Sequence, residues 1–327
     1  MENGKDTVFC WRHAAAGKEE SLMPECYTHG YVASQALMRS GNVVQSYPAF
    51  LAGANGPDPF YSYKLCKKEK SPDLPALAKR MHREKTGAFL IALIQLSMTG
   101  VQQSYALGFL THYAADCILH PYVEAMSKKG KPYGTPNGSL WMQASLDSSL
   151  YYRDYKTYKV PVHAGTPVLI TEDLAQVTSL LHDAIVQVYG INVPPVALAD
   201  TFHNNLSVRK FLASGNWFKK SFAWVLEAIF LGKNAKNARN AIKARLQPAK
   251  PLEKLPDEWE NPYTHETHKM NWEEMLVVAE QTGAACIAAA MNFWLGNINS
   301  EQLVAIVGNN NYYTGVPDGM PVWEAQQ

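Results

Sequence analysis

The stretch Gly108-Phe-Leu-Thr-His112-Tyr-Ala-Ala-Asp116-Cys-Ile-Leu-His120-Pro121 decides how this chain is read, because three potential metal ligands recur in it at every fourth position. On an α-helix four residues advance the side chain by about 400°, so successive members of the series are offset by only about 40° and share one face. One rigid helix would therefore present imidazole, carboxylate and imidazole together. A divalent cation of borderline softness takes both donor types, and a carboxylate in the middle of the series can bridge two ions. The competing reading is an amphipathic helix whose polar stripe happens to contain two histidines. Tyr113, Cys117 and Leu119 pack in either case.

Working outward, apolar residues fall at helical spacing over 28–38, 73–98, 102–126, 140–155, 171–189, 195–213, 217–246 and 272–295. Gly41 and Pro48 punctuate the chain, and Gly53-Ala-Asn-Gly-Pro-Asp58-Pro forms a turn-rich loop. Gly100 separates two of the helices, and 158–170, with its Val, Thr and prolines, reads as loop or short extended chain. No repeat and no sustained strand alternation is visible. The expected class is all-α, a multi-helix bundle with short connections. Residues 1–22 read as a polar extension and 23–307 as one domain, with a ligand-bearing half at 23–155 and supporting helices at 171–307. Residues 308–327 read as an irregular tail.

Composition narrows the function. With 327 residues and 47% hydrophobic content there is enough chain for a large buried core, and 30 basic against 29 acidic residues leave a net charge of +1. That balance gives no reason to expect a nucleic-acid partner. Five scattered cysteines without a C-x-x-C pair argue against a disulfide framework and a thiolate zinc site, so they read as reduced packing thiols. The opening residues lack the apolar core of a signal peptide, which leads us to expect a cytoplasmic protein. The greasiest stretch, Ala88 to Met98, is too short to span a bilayer, so no transmembrane segment is expected and any membrane contact would be transient and at the surface.

Four ordered blocks carry a family resemblance: PECYTHGYVA from Pro24, GANGPDPF from Gly53, MHREKTGAFL from Met81 and ALGFLTHYAADCILHPY from Ala106. Together they resemble the zinc-dependent phospholipase C family, from about Pro24 to Tyr155. The resemblance implies an all-helical fold with a zinc cluster at the bottom of a cleft, hydrolysing phosphodiesters such as phospholipid head-group linkages. It implies that Asp58, His82, His112 and Asp116 hold one zinc, and that Asp116 bridges to a second zinc also bound by His29. The fungal single-strand zinc nucleases share this fold and cluster, so the metals alone do not fix the substrate.

The family pattern breaks at its third zinc, which would use His120 together with a His, a Glu and an Asp spaced four apart on the next helix. Counting back from Asp147, those first two positions hold Ser139 and Gln143. A serine hydroxyl and a neutral amide are poor substitutes for imidazole and carboxylate, so two zinc ions are expected rather than three. Asp58 is the expected combined ligand and general base, and His120 the group expected to protonate the leaving alcohol. The alternative is a catalytically impaired descendant, a metal-stabilised scaffold that binds a lipid or a protein partner. Glu124 is a weaker replacement carboxylate; the resemblance also implies a cluster capped by the mature amino terminus, a place that His13 or Cys10 would have to fold back to fill. A di-iron site lacks its Glu-x-x-His pairs here. The basic stretch Lys233 to Lys254, with seven Lys and Arg, reads as a solvated face, and His265 and His268 as loop residues.

Overall fold

The computed structural model describes residues 26–64, 71–135, 138–213, 252 and 255–320, with Ser221 and Val225 as isolated helical positions. Its helices are α1 (Cys26–Ser40), α2 (Tyr47–Gly53), α3 (Leu74–Arg83), α4 (Thr86–Leu96), α5 (Gly100–Ser127), α6 (Gly138–Tyr155), α7 (Thr171–Tyr189), α8 (Pro195–Ala213), α9 (Trp272–Trp294) and α10 (Ser300–Val307). Short 3-10 turns lie at Asp58–Ser62 and Val162–Ala164. The only sheet among the described residues is a hairpin of β1 (Glu258–Glu260) and β2 (Thr267–Lys269), which pairs Trp259 with His268. The fold is all-α, as the sequence predicts.

Side-chain caps set several helix starts. Thr99 and Gln102 close a reciprocal box at the head of α5, as do Asn271 with Glu274 on α9 and Asn299 with Gln302 on α10. The 28-residue α5 is the axis of the molecule, buried almost all round from Ser104 to Asp116. Helices α1, α2 and α9 pack along it. Gly53 and Gly108 let α2 and α5 meet backbone to backbone: a Cβ on Gly53 would collide with the Tyr105 carbonyl, and one on Gly108 with that of Phe50. That contact delivers the loop after α2 to the middle of α5. Arg39 of α1 and the buried Glu280 of α9 form a 2.8 Å ion pair that ties the two helices together.

Two apolar cores flank the centre of α5. One gathers Phe50, Leu77, Leu93, Phe109, Leu181 and Ile287, and the other Leu119, Tyr122, Met126, Leu146, Trp259 and Leu276. Tyr113 belongs to the first and Ala115 to the second, so His112 and Asp116 lie where one core hands over to the other.

Several expectations need correcting. The stretch 73–98 is not one helix: it breaks at Glu84-Lys85, where Lys85 takes a left-handed φ of 55°. The break leaves His82 in the last turn of α3. Residues 47–53, where Pro48 reads as punctuation, form the helix α2, and α10 and the hairpin have no counterpart among the expected elements. His268 sits in β2, stacked on Trp259 at 4.6 Å, while the exposed His265 pairs with Glu260 at 2.6 Å. The expected helix 217–246 lies outside the described residues, as do Cys10, His13, Cys66 and nearly all of the basic stretch from Lys233. The described cysteines, Cys26, Cys117 and Cys286, are free thiols. One described helix, Trp272–Trp294, is long and apolar enough to cross a membrane, but here it lies along α5 and α1 with Leu276, Ala279, Ile287 and Ala290 buried.

Candidate metal centre

Four segments bring the six predicted residues together. His29 comes from the second turn of α1. The start of that helix is fixed by Asp147 of α6, whose carboxylate accepts the Thr28 N–H at 2.8 Å, the Thr28 hydroxyl at 2.7 Å and the Tyr27 N–H at 3.4 Å. Asp58 opens the 3-10 turn after Gly56-Pro57. Gly56 has φ +51°, and a Cβ there would run into the His112 ring, so only glycine lets this loop lie against α5. His82 comes from α3, and His112, Asp116 and His120 from successive turns of α5.

Asp116 is the hub. Its Oδ1 lies 3.4 Å from His29 Nε2 and 3.4 Å from His120 Nε2, and its Oδ2 lies 3.1 Å from His112 Nε2 and 3.6 Å from His82 Nε2. Asp58 Oδ1 is 3.4 Å from His82 Nε2. Two donor triads result, His29–Asp58–His112 and His82–His112–Asp116, in each of which one donor atom per residue lies within 4.8 Å of the other two. The residues are closed off from solvent: His82 and His112 are 0% exposed, and His120, the most open, is 9%.

The tautomers show what the centre is built to hold. His82 Nδ1 contacts the Ala78 carbonyl at 2.8 Å and His112 Nδ1 the Ala54 carbonyl at 3.2 Å. A carbonyl only accepts, so in each neutral ring Nδ1 carries the hydrogen and Nε2 turns a lone pair toward the carboxylates. Those Nε2 atoms, both oxygens of Asp116 and Oδ1 of Asp58 make no hydrogen bond. Acceptors facing acceptors in a dry core are costly unless a cation lies between them. Imidazole nitrogens and carboxylate oxygens at this spacing fit zinc.

Charge follows the same layout. Burial pushes the Asp116 carboxyl up, but His112 and His120 outweigh it and hold the group well below the usual carboxylate range. Asp58 is likewise lowered, with burial overcome by His112 and His82. Burial drives His29 down to about 4, with His112 adding to the effect, so this ring is neutral near pH 7. His112 is raised, because Asp116 and Asp58 overcome its burial. Ionised carboxylates and a neutral imidazole are the states that bind a metal.

Residues 28–164 match the profile of a family described as zinc dependent phospholipase C. Over this segment, which is under half of the chain, the sequence is similar to that family. No curated protein and no solved structure matches the chain. The matched segment contains all six convergent residues as well as the departures at Ser139 and Gln143. Gln143 is buried, with an Oε1 that finds no hydrogen-bond partner, and Asp147 carries its carboxylate to the head of α1.

The groups that cover the centre carry no signal in the sequence. Tyr312 N–H donates to the His82 carbonyl at 2.9 Å, and its ring meets His82 edge-on at 5.2 Å. The Tyr313 ring stacks on His82 at 5.1 Å and meets His120 edge-on at 5.2 Å, and its hydroxyl lies 2.9 Å from that of Tyr61. A tyrosine pair in an Asn- and Gly-rich tail has no periodicity to flag it.

Proposed function

We propose that this chain is a metal-dependent phosphodiester hydrolase of phospholipase C type, cleaving a phosphate ester such as a phospholipid head-group linkage. The observation that carries the reading is the buried cluster of histidine and aspartate lone pairs turned on one another around Asp116. His29, Asp58, His82, His112 and Asp116 would hold two zinc ions. Bound there, zinc would supply Lewis acidity and a water of lowered pKa.

The chain's own residues do the remainder. Asp58, kept ionised by its neighbours, would take the proton of the attacking water. His120, the most exposed of the six, would hand a proton to the departing alcohol. Membrane contact would be a transient docking at a lipid surface.

The test is metal analysis of the full chain beside phosphocholine release from a short-chain soluble lecithin. We expect two zincs per chain and turnover that a chelator abolishes. Less than one metal per chain, or turnover indifferent to the chelator, would sink the reading.

One observation favours a second reading. The Asp147 carboxylate is engaged at the head of α1, and Ser139 and Gln143 stand where the other third-site ligands would be. A metal-stabilised scaffold that binds phosphate esters without cleaving them would show two zincs and no phosphocholine release.

A further inference from the structure

The six residues of the centre are at most 9% exposed, so a phosphate ester cannot touch them unless something moves. The loop from Asn309 to Asp318 lies across the centre, and its backbone is pinned from several directions. Tyr312 N–H donates to the His82 carbonyl at 2.9 Å, Asn310 N–H to the Tyr113 hydroxyl at 2.9 Å, and Lys85 N–H to the Asp318 carboxylate at 3.0 Å. Within the loop, Asn311 and Val316 are joined at 2.8 Å and Gly315 N–H returns to Asn311 at 2.9 Å. Gly315 rests on the Cys117 carbonyl of α5, where a Cβ would collide. Pro121 has no N–H to offer that carbonyl, so the helix itself leaves this face for the loop. Tyr312, 1% exposed, is locked in the core.

Tyr313 differs from the rest of this loop. It is partly exposed, and its ring touches His82 and His120, which approach opposite oxygens of Asp116. It thus spans both sides of the centre. At its outer end its hydroxyl meets that of Tyr61 at 2.9 Å. The exposed Arg83 lays its guanidinium 5.1 Å from the same ring, which puts a cation at the mouth. Rotating one partly exposed side chain about its χ angles is far cheaper than peeling off a loop held by this many backbone hydrogen bonds.

We propose that Tyr313 is the side-chain gate of the metal centre. Its ring closes the mouth, the Tyr61 hydroxyl latches it, and an anionic phosphate ester drawn by Arg83 enters when the ring swings out over a fixed backbone. This inference rests on the reading of the centre as a phosphate-ester site, yet its test does not need turnover.

The test is the rate at which diethyl pyrocarbonate acylates His120 in the full-length protein as purified, followed by peptide mass spectrometry, with the exposed His163 as internal reference. Tyr313→Ala should speed labelling of His120 by about tenfold or more. Tyr313→Phe and Tyr61→Phe each keep a ring in place and remove one hydroxyl, and should speed it by about fivefold, the scale of one lost hydrogen bond. Labelling of His163 should not change in any variant, which normalises the reagent dose, and far-UV circular dichroism checks that each variant is folded. Equal His120 rates in the wild type and the two phenylalanine variants would overturn the gate, even where the alanine variant misfolds. If the protein hydrolyses no phosphodiester but the labelling pattern holds, the functional reading fails and the gate stands. If it hydrolyses one and the labelling pattern is flat, the reverse is true.

Discussion

Helix α5 and the loop Asn309–Asp318 both border the candidate metal centre, and they are built in opposite ways. On α5, three of the six convergent groups are set by helix geometry alone, one per turn. In the loop nothing is periodic. Its position comes from single hydrogen bonds to partners far away in the chain, Tyr61 being 252 residues from Tyr313 and Tyr113 being 197 from Asn310. A helix specifies a site through local spacing, whereas a loop specifies its cover through contacts that exist only once everything else has folded. Removing a group from the helix should therefore destroy the centre, and removing one from the loop should leave the centre intact but change how it is reached.

The largest effect expected from that contrast is at Asp116. Its two oxygens face four histidines, so Asp116→Asn removes the charge on which all of them converge. Metal analysis should find most of the zinc gone, and any turnover should fall by more than the roughly 10–100-fold that losing an outer-shell partner costs. Tyr313→Phe, by contrast, should keep its zinc. Zinc retained at full stoichiometry in the asparagine variant would place the metal elsewhere.

Gly56→Ala comes next. The added methyl meets the His112 ring, and the residue would have to hold a φ of +51°. Strain and overpacking of this kind cost about 1–3 kcal/mol. Denaturant unfolding should register the loss, and zinc titration should show weaker binding because His112 Nε2 is displaced. An alanine variant with unchanged stability and affinity would mean that the turn does not position the ring.

The contrast between helix and loop also explains what could be read from the sequence. His112, Asp116 and His120 stand out by their spacing, and His29, Asp58 and His82 by the blocks around them, so the members of the centre were legible before its geometry was. The break at Glu84-Lys85 was not, because Lys85 adopts a left-handed conformation without the glycine that normally signals one. Strands of three residues are too short for alternation to register. Tyr313 was invisible because its role depends on tertiary contacts alone. Asp147 is the instructive intermediate case. Its register on α6 pointed toward a metal, yet its carboxylate caps α1, a role the same residue type fills equally well.

Asp147→Asn sharpens that distinction between ligand and cap. An asparagine keeps an acceptor for the Thr28 N–H but loses the charge that favours a helix start, so the expected cost is about 1–2 kcal/mol. Hydrogen exchange should quicken at the first amides of α1, while zinc per chain stays the same. A fall in zinc stoichiometry without faster exchange in α1 would make Asp147 a ligand after all.

The smallest effect expected is in how stability depends on pH when the metal is removed. His29 is lowered to about 4 from an ordinary value of 6.5, so between those values the unfolded chain binds a proton that the folded chain refuses. The stability it contributes is present above 6.5 and is lost as pH falls toward 4. His112 is raised, so above 6.5 the folded chain holds a proton that the unfolded chain releases. Its contribution is present below 6.5 and fades as pH rises through the folded value. The two slopes oppose one another, and stability of the metal-free chain should peak near pH 6.5, falling by about 1 kcal/mol per pH unit on either side. Denaturant midpoints measured across that range with a chelator present should trace the peak, and zinc should flatten its alkaline side, since the bound metal takes the place of the proton at His112. A stability that climbs steadily from pH 5 to 8 without metal would show that His112 does not face ionised Asp116 and Asp58, and the buried centre would then lack the charge it needs to bind a dication.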